Sequence, residues 1–403
     1  MSVFGDRRHC NDNPRSRTPE RQPLTPGTGP AGNNALPLPF SLADGLKGSP
    51  YYCMDIYDYA QTKGIPTGQV LDFTDLANPL GPCSKAKHAM RKALSEAQLP
   101  PDRQTRYLRG FIARTEHVAP ENILFGHGST GILDLLLAAV KPGKLLAPSP
   151  LPAWRARLFE RHGVEPVPFA LPEAGGFALD AARLIHALAG ADMLLIPSPH
   201  PMTGTIAGAD FLREIVDAVN GTHTILVIDE GLAGFASTDS PVEAAIGSAN
   251  MLILRTFSFF HALAGMRLGY ALGGRRVLDL VRSVAEPGPV STVAAAGALA
   301  SLRDKGFRKR TAEFVAGEKA YMTAKLSRIK GIRLIDTGCN FLLVAPEKPA
   351  ADLRSRFLQR DILIEVFVEE GGRELIRLPL RGRRENARFA KTLARIMAEG
   401  RTA

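Results

Sequence analysis

Short, continuously apolar runs recur along the middle of the chain, at Leu145–Ala147, Met193–Ile196, Ile225–Ile228, Met251–Leu254 and Leu268–Leu272. Helix-length segments such as Ala181–Ala189 and Phe211–Val219 separate them. Strands that are apolar throughout, rather than alternating, are covered on both faces, so the pattern predicts a mostly parallel, doubly wound sheet between helical layers. Upstream, Ser84–Ala97 and Arg103–His117 read as helices, and Gly128–Ser129 opens an apolar helix running to Val140. After Pro287-Gly288-Pro289 the order changes. Helices at about 291–303 and 307–329 precede strands at Ile332–Ile335, Phe341–Ala345, Ile362–Phe367 and Leu375–Pro379, and a last helix starts near Arg384. The expected class is α/β, with a large domain over 66–288 and a smaller α+β domain over 289–403. Residues 1–50 carry 8 of the 30 prolines and read as a Pro/Gly-rich tail or arm, extended here to residue 65.

Composition narrows the class without naming a chemistry. The 403 residues are 45% hydrophobic and 22% charged, enough to build a sizeable core. Cys10, Cys53, Cys83 and Cys339 lie far apart, which favours reduced thiols in a cytoplasmic compartment. No apolar run approaches the ~18 residues of a membrane span. The nine histidines have no metal-ligand spacing, so no metal site is expected. The formal net charge of +10 falls entirely within residues 301–403, which hold 23 Lys plus Arg against 13 Asp plus Glu. That basic domain suggests either a polyanion or nucleic-acid surface, or a solvated face of arginine-rich helices.

In a doubly wound sheet the ligand lies beyond the carboxyl ends of the strands. Those segments read P-S-P-L-P-A-W (Pro148–Trp154), P-S-P-H-P-M-T-G (Pro197–Gly204), D-E-G (Asp229–Gly231) and R-T-F-S-F-F-H-A-L-A-G-M-R-L-G (Arg255–Gly269). Upstream, G-H-G-S-T (Gly126–Thr130) opens a helix whose free N–H groups are suited to an anion. His261 and His200 fall on this face as candidate bases. His127 reads as positional, and the single tryptophan, Trp154, as core packing.

The order and spacing of these segments, with D-F-T-D-L-A-N-P-L-G-P (Asp72–Pro82) and I-R-L-P-L-R…E-N-A-R (Ile376–Arg388), resemble the fold-type I pyridoxal-phosphate aminotransferases. Within them the likeness is greatest to histidinol-phosphate aminotransferases and L-threonine-O-3-phosphate decarboxylases. The resemblance covers roughly residues 70–400. It implies an aminotransferase-like three-layer sandwich, pyridoxal phosphate as cofactor, amino-acid metabolism and a homodimer. It assigns Asp229 to the pyridinium nitrogen. Thr256, Ser258 and Arg267, with the backbone at Gly128 and Ser129, make a phosphate cup. Arg377 becomes a carboxylate clamp, faced by Asn78.

Five positions depart from the family pattern. The motif S-K-x-x-x-L-x-G-x-R places the Schiff-base lysine at Phe259, and no lysine occurs between Lys144 and Lys305. Pro201 stands at the ring-oxygen asparagine and Leu232 at a second ring-oxygen donor. Leu151 or Pro152 stands at the stacking aromatic, and Pro100 at a tyrosine that reaches a neighbouring subunit's phosphate. Aminotransferase chemistry needs the lysine to hold the cofactor and to move the substrate proton. The expectation is therefore a degenerate member that forms no internal aldimine and binds a small anionic metabolite carrying phosphate or carboxylate. The alternatives are altered chemistry with non-covalent cofactor or none, and partner or nucleic-acid binding through the basic domain.

Overall fold

The computed structural model describes residues 55–288, 290–347, 353–369 and 371–399. Most of the N-terminal tail expected through residue 65 lies outside them. Its end does not behave as a tail: Ile56–Lys63 is a helix capped by Asp55, with Tyr59 and Ala60 buried against Val70 and Leu363.

The large sheet contains β2 (Ile123–Gly126), β3 (Leu145–Ser149), β4 (Val167–Ala170), β5 (Met193–Pro197), β6 (Ile225–Asp229), β7 (Met251–Thr256) and β8 (Gly269–Gly273). Their spatial order is β2-β8-β7-β6-β5-β3-β4, with β8 antiparallel to both its neighbours and the other pairs parallel. The continuous apolar runs have a direct cause here. Successive residues point to opposite faces, so Leu194, Ile196, Leu226, Ile228 and Ile253 enter one core while Met193, Leu195, Val227, Leu252 and Leu254 enter the other. Helices Arg106–Glu116, Ala209–Val219 and Thr292–Leu302 cover the first face through Leu108, Ile112, Leu212, Ile215 and Ala298. Helices Gly128–Val140, Ala153–Arg161 and Arg275–Arg282 cover the second through Leu133, Leu136, Phe159 and Leu278. This is the three-layer sandwich the sequence implies.

The smaller sheet runs β1-β11-β12-β10-β9, from β1 (Leu71–Phe73), β9 (Ile332–Asp336), β10 (Phe341–Pro346), β11 (Ile362–Val368) and β12 (Glu374–Pro379). Strand β1 pairs parallel with β11, Leu71 opposite Ile362. The segment just after residue 66 is thus built into the C-terminal sheet and not the large domain, because Phe73 completes that sheet's core against Phe357 and Phe389. The other face of this sheet joins a mixed cluster in which Leu343, Phe341, Phe367 and Leu375 meet Met202 and Leu232, with Phe259 packed against it. No helix among the described residues is long and apolar enough to cross a membrane.

One backbone contact holds the future site together. Gly269 of β8 lies so close to the start of helix Gly128–Val140 that a Cβ there would sit 2.6 Å from Gly128 C and Ser129 N and 2.7 Å from Arg255 O. All three atoms are backbone, so no rotamer change relieves the clash. Gly269→Ala is expected to lower stability by about 2–3 kcal/mol, read as a lower urea midpoint at unchanged slope.

Candidate functional site

At the carboxyl ends of β5, β6 and β7 a cavity of about 130 Å³ opens between the strand ends and the helix start at Gly128. Every residue assigned to the cofactor site lines it: Asp229, Thr256, Ser258, Arg267, Gly128 and Ser129, together with Phe259, Pro201 and Leu232. Its placement follows from topology, because parallel strands end together and the following loops turn over a common rim.

One wall gathers the groups to which the resemblance assigns a phosphate cup. Gly128 takes a left-handed conformation (φ +74°), which lets the chain turn sharply from His127 into the helix and leaves the first N–H groups facing the cavity. The Arg267 guanidinium lies against that turn, its Nη2 3.6 Å from the place a Gly128 Cβ would take. Thr256 Oγ1 donates to Ser258 Oγ at 2.9 Å and accepts from the Ser258 N–H at 3.2 Å, which fixes both hydroxyls at the rim. Arg267 is exposed, and its guanidinium has no ion pair or hydrogen bond with another described residue.

The opposite end carries a group that sequence reasoning missed. Arg155 Nη2 pairs with Asp229 Oδ2, and the two side chains are only 3% and 9% exposed. Asp229 Oδ1 accepts from the Gly231 N–H at 3.0 Å, so both carboxylate oxygens are engaged. Burial lowers the Arg155 pKa from its usual value, and the Asp229 charge opposes that shift. The guanidinium also stacks on Trp154, 4.4 Å from the ring centre, while Arg155 Nη1 is buried without a hydrogen-bond partner. Trp154 is 39% exposed and lines the cavity, so it is a wall and not core as expected. A signal for Arg155 existed. It falls on the buried stripe of helix Ala153–Arg161 with Leu158 and Phe159, at spacings of three and four, and a charge on that stripe needs a buried partner.

Phe259, which the resemblance sets at the lysine position, is half-buried with its ring edge 3.6 Å from where a Gly231 Cβ would lie. Leu232 is 2% exposed, in the same interdomain cluster. Leu151, one candidate for the stacking position, packs into the core instead.

Four assigned residues do not reach this cavity wall. Arg377 is 4% exposed and donates from Nη1 to the Pro201 carbonyl at 3.0 Å and from Nη2 to the Thr74 carbonyl at 2.5 Å. It ties two loops to β12. Asn78 donates to the Phe260 carbonyl (2.9 Å) and Thr311 Oγ1 (2.8 Å) while its oxygen accepts from the Leu80 N–H. Both are structural ties in this arrangement. His261 turns from the cavity and holds Ser301 Oγ at 2.7 Å through Nδ1, wedged between Phe257 and Phe260. Burial, with the charge of Arg308, pushes it down to about 4. His200 is 1% exposed and its Nδ1 accepts from the Thr203 N–H at 3.2 Å. Burial, then the Arg377 charge, pushes it down to about 3.

Comparison with known proteins agrees with this architecture. The sequence pattern of the family "Aminotransferase class I and II" matches residues 74–377. A histidinol-phosphate aminotransferase from Symbiobacterium thermophilum is 31% identical over 327 residues, which is 80% of this chain and 89% of that protein. Among solved structures, the histidinol-phosphate aminotransferase of Sinorhizobium meliloti, in complex with pyridoxal-5′-phosphate, superposes with TM-score 0.75 at 22% identity, covering 89% of this chain and 98% of that one. The L-threonine-O-3-phosphate decarboxylase of Porphyromonas gingivalis gives TM-score 0.69 at 18% identity, covering 82% and 100%. With a family match over three-quarters of its length and a seven-stranded sheet whose strand ends frame the expected pocket, the chain belongs to the class I and II aminotransferase family.

Proposed function

We propose that this chain is a family member that binds a small anionic, phosphate- or carboxylate-bearing molecule in the former cofactor pocket and forms no internal aldimine. The observation that carries the reading is Arg267, a cation beside a helix N-terminus, open to the cavity and without a partner among the described residues. A guanidinium and the N–H groups of a 13-residue helix attract a dianion jointly, and the hydroxyls of Thr256 and Ser258 add donors.

Pyridoxal phosphate, the group the family implies, fits this pocket at one end only. Its phosphate suits the cup. Its ring does not suit the remainder: Asp229 already has a cation, Pro201 has no N–H to give, and Leu232 and Phe259 are apolar and held in the interdomain cluster. The cavity of about 130 Å³ is also below the ~300–1,000 Å³ of typical ligand pockets. No lysine is among the residues lining it, so no amine there can hold an imine or carry a proton to and from a substrate carbon. The histidines offer no replacement base. His200 is buried and His261 half-buried, and each is neutral near pH 7 and engaged with a neighbouring hydroxyl. A polyanion surface on the basic domain has less in its favour, since Arg356, Arg360 and Arg395 converge on Glu399 and Arg383 pairs with Glu318.

We further propose a homodimer. What supports it is a groove along helices Ser84–Ala93 and Thr292–Leu302, bordered by Leu99 and Tyr107, which are 58% and 84% exposed. Large apolar surface of this kind marks an association face.

Four measurements check these readings. Calorimetric titration with inorganic phosphate should give binding that weakens about ten- to hundredfold in Arg267→Ala, the ~1.5–3 kcal/mol of charged hydrogen bonds. The purified protein supplied with pyridoxal phosphate and then gel-filtered should retain no stoichiometric imine band above the level of a surface-lysine adduct, and a one-to-one band bleached by borohydride would sink the proposal. The histidines predict a pH signature. Their folded pKa values lie below the ~6.5 of the unfolded chain, so the stability they contribute is full above that value and lost as pH falls toward about 4 for His261 and about 3 for His200. Urea midpoints should therefore decline from pH 6.5 downward, and His261→Gln should flatten the part between 6.5 and 4. Finally, Tyr107→Glu should shift the solution mass from dimer to monomer with the circular dichroism spectrum retained.

A further inference from the structure

The two ends of the cavity differ in electrostatic character: one carries the Arg267 cation, and the other, with Asp229 paired to Arg155, is already neutral. Asp229 Oδ2 is paired with Arg155, and Asp229 Oδ1 holds the Gly231 N–H at 3.0 Å. A protonated ring nitrogen could reach Asp229 only by displacing the guanidinium. Among the described residues that guanidinium pairs with no other carboxylate, its Nη1 is already without a hydrogen-bond partner, and Trp154 covers it. A second cation placed beside it would add repulsion where the paired side chains, 3% and 9% exposed, are little screened by water. Around the pair the lining is Pro197, Pro199, Leu232 and Phe259, which offer no charge to a ligand.

Resting on the anion-cup reading above, we infer that Arg155 is a built-in counter-cation for Asp229 and sets the specificity of the pocket. It closes the pocket to pyridine phosphates and leaves it open to phosphate monoesters whose carbon portion is compact and uncharged. The ligand's charge belongs at one end, against Arg267 and the helix start. Its other end meets a neutral ion pair and apolar walls within about 130 Å³. Arg155 thus acts on specificity through Asp229, as a positioning residue.

The test compares ethyl phosphate with pyridoxine 5′-phosphate, which has the pyridine ring and phosphate but no aldehyde to react with surface lysines. Titration calorimetry reads affinity, and fluorescence of Trp154, the chain's one tryptophan, reports whether the cavity is the place of binding. The wild-type protein should bind pyridoxine 5′-phosphate no more tightly than ethyl phosphate. Arg155→Leu should bind pyridoxine 5′-phosphate about tenfold or more tighter than wild type, with ethyl phosphate affinity unchanged within about threefold. Arg155→Lys, which keeps the charge, should show no gain. Because Arg155→Leu leaves a buried carboxylate alone and can fail to fold, Arg155→Gln provides a second variant that removes charge but still donates to Asp229. Tighter wild-type binding of pyridoxine 5′-phosphate than of ethyl phosphate, or no gain in a folded charge-removing variant, overturns the inference. Failure of the anion-cup reading is distinct: neither inorganic phosphate nor ethyl phosphate would then bind wild type, while the comparison of pyridoxine 5′-phosphate between wild type and variant still decides the role of Arg155.

Discussion

The buried pair between Arg155 and Asp229 is the interaction around which the pocket is arranged. Taking both charges out of water carries a desolvation penalty of several kcal/mol per ion, repaid only when geometry and further hydrogen bonds satisfy the remaining atoms. Here the geometry comes from the fold. Asp229 is the last residue of a central strand, and Arg155 projects from the first turn of the helix after β3. Two rigid elements set their separation, and the Gly231 N–H and the Trp154 ring complete the surroundings. Removing either partner would strand the other in an apolar layer. The pair therefore constrains the pocket in both directions: it needs the intact sandwich, and it leaves the strand-end carboxylate unavailable to another cation.

A second constraint follows from what surrounds the pair. Phe259 and Leu232 do more than lack polar groups. They join Met202, Phe341, Leu343 and Leu375 in an apolar seam that fastens the C-terminal sheet onto the large domain. Arg377 reinforces the same seam by bonding the carbonyls of Pro201 and Thr74. These residues hold the two domains together. Apolar burial of a leucine or phenylalanine contributes about 1.5–3 kcal/mol per side chain, so single polar replacements at these positions disturb the domain contact as well as the pocket chemistry.

The central strands and most helices were legible because two-sided burial writes itself as unbroken apolar runs, and Met251–Thr256 or Ile225–Asp229 could hardly be anything else. The strands that sequence reasoning passed over share a different physics. Leu71–Phe73 is three residues long and exists through pairing with Ile362–Ile364, nearly three hundred residues away, which no local window can register. Val167–Ala170 is an edge strand containing Pro168, half exposed and interrupted by the residue that usually argues against a strand. Ile123–Gly126 is four residues wedged between a 3₁₀ turn and a helix start. At the site, backbone-borne features such as the Gly128 turn could be read from glycine and hydroxyl spacing. Side-chain direction could not. His261 sits two residues beyond Phe259 in sequence, yet its ring turns to Ser301 on another helix.

Three arginines near the pocket show how environment, more than residue type, decides what a cation does. Arg377 is buried and bonds carbonyl oxygens, so it serves as a tie between loops. Arg155 is buried against a carboxylate, and its charge is cancelled where it stands. Arg267 is exposed, unpaired among the described residues and set beside a helix start, so its charge acts on whatever enters the cavity. The same distinction applies to the +10 of the whole chain. Arginines that converge on Glu399, Glu318 and Glu173 stabilise the C-terminal domain and its contact with the large one. Net charge counts these alongside Arg267 as equals. For an anion approaching through solvent they are not equal, because a cation within hydrogen-bond reach of a carboxylate presents little field beyond the ~8–10 Å screening length, whereas a lone guanidinium aligned with a helix dipole presents its full charge at short range.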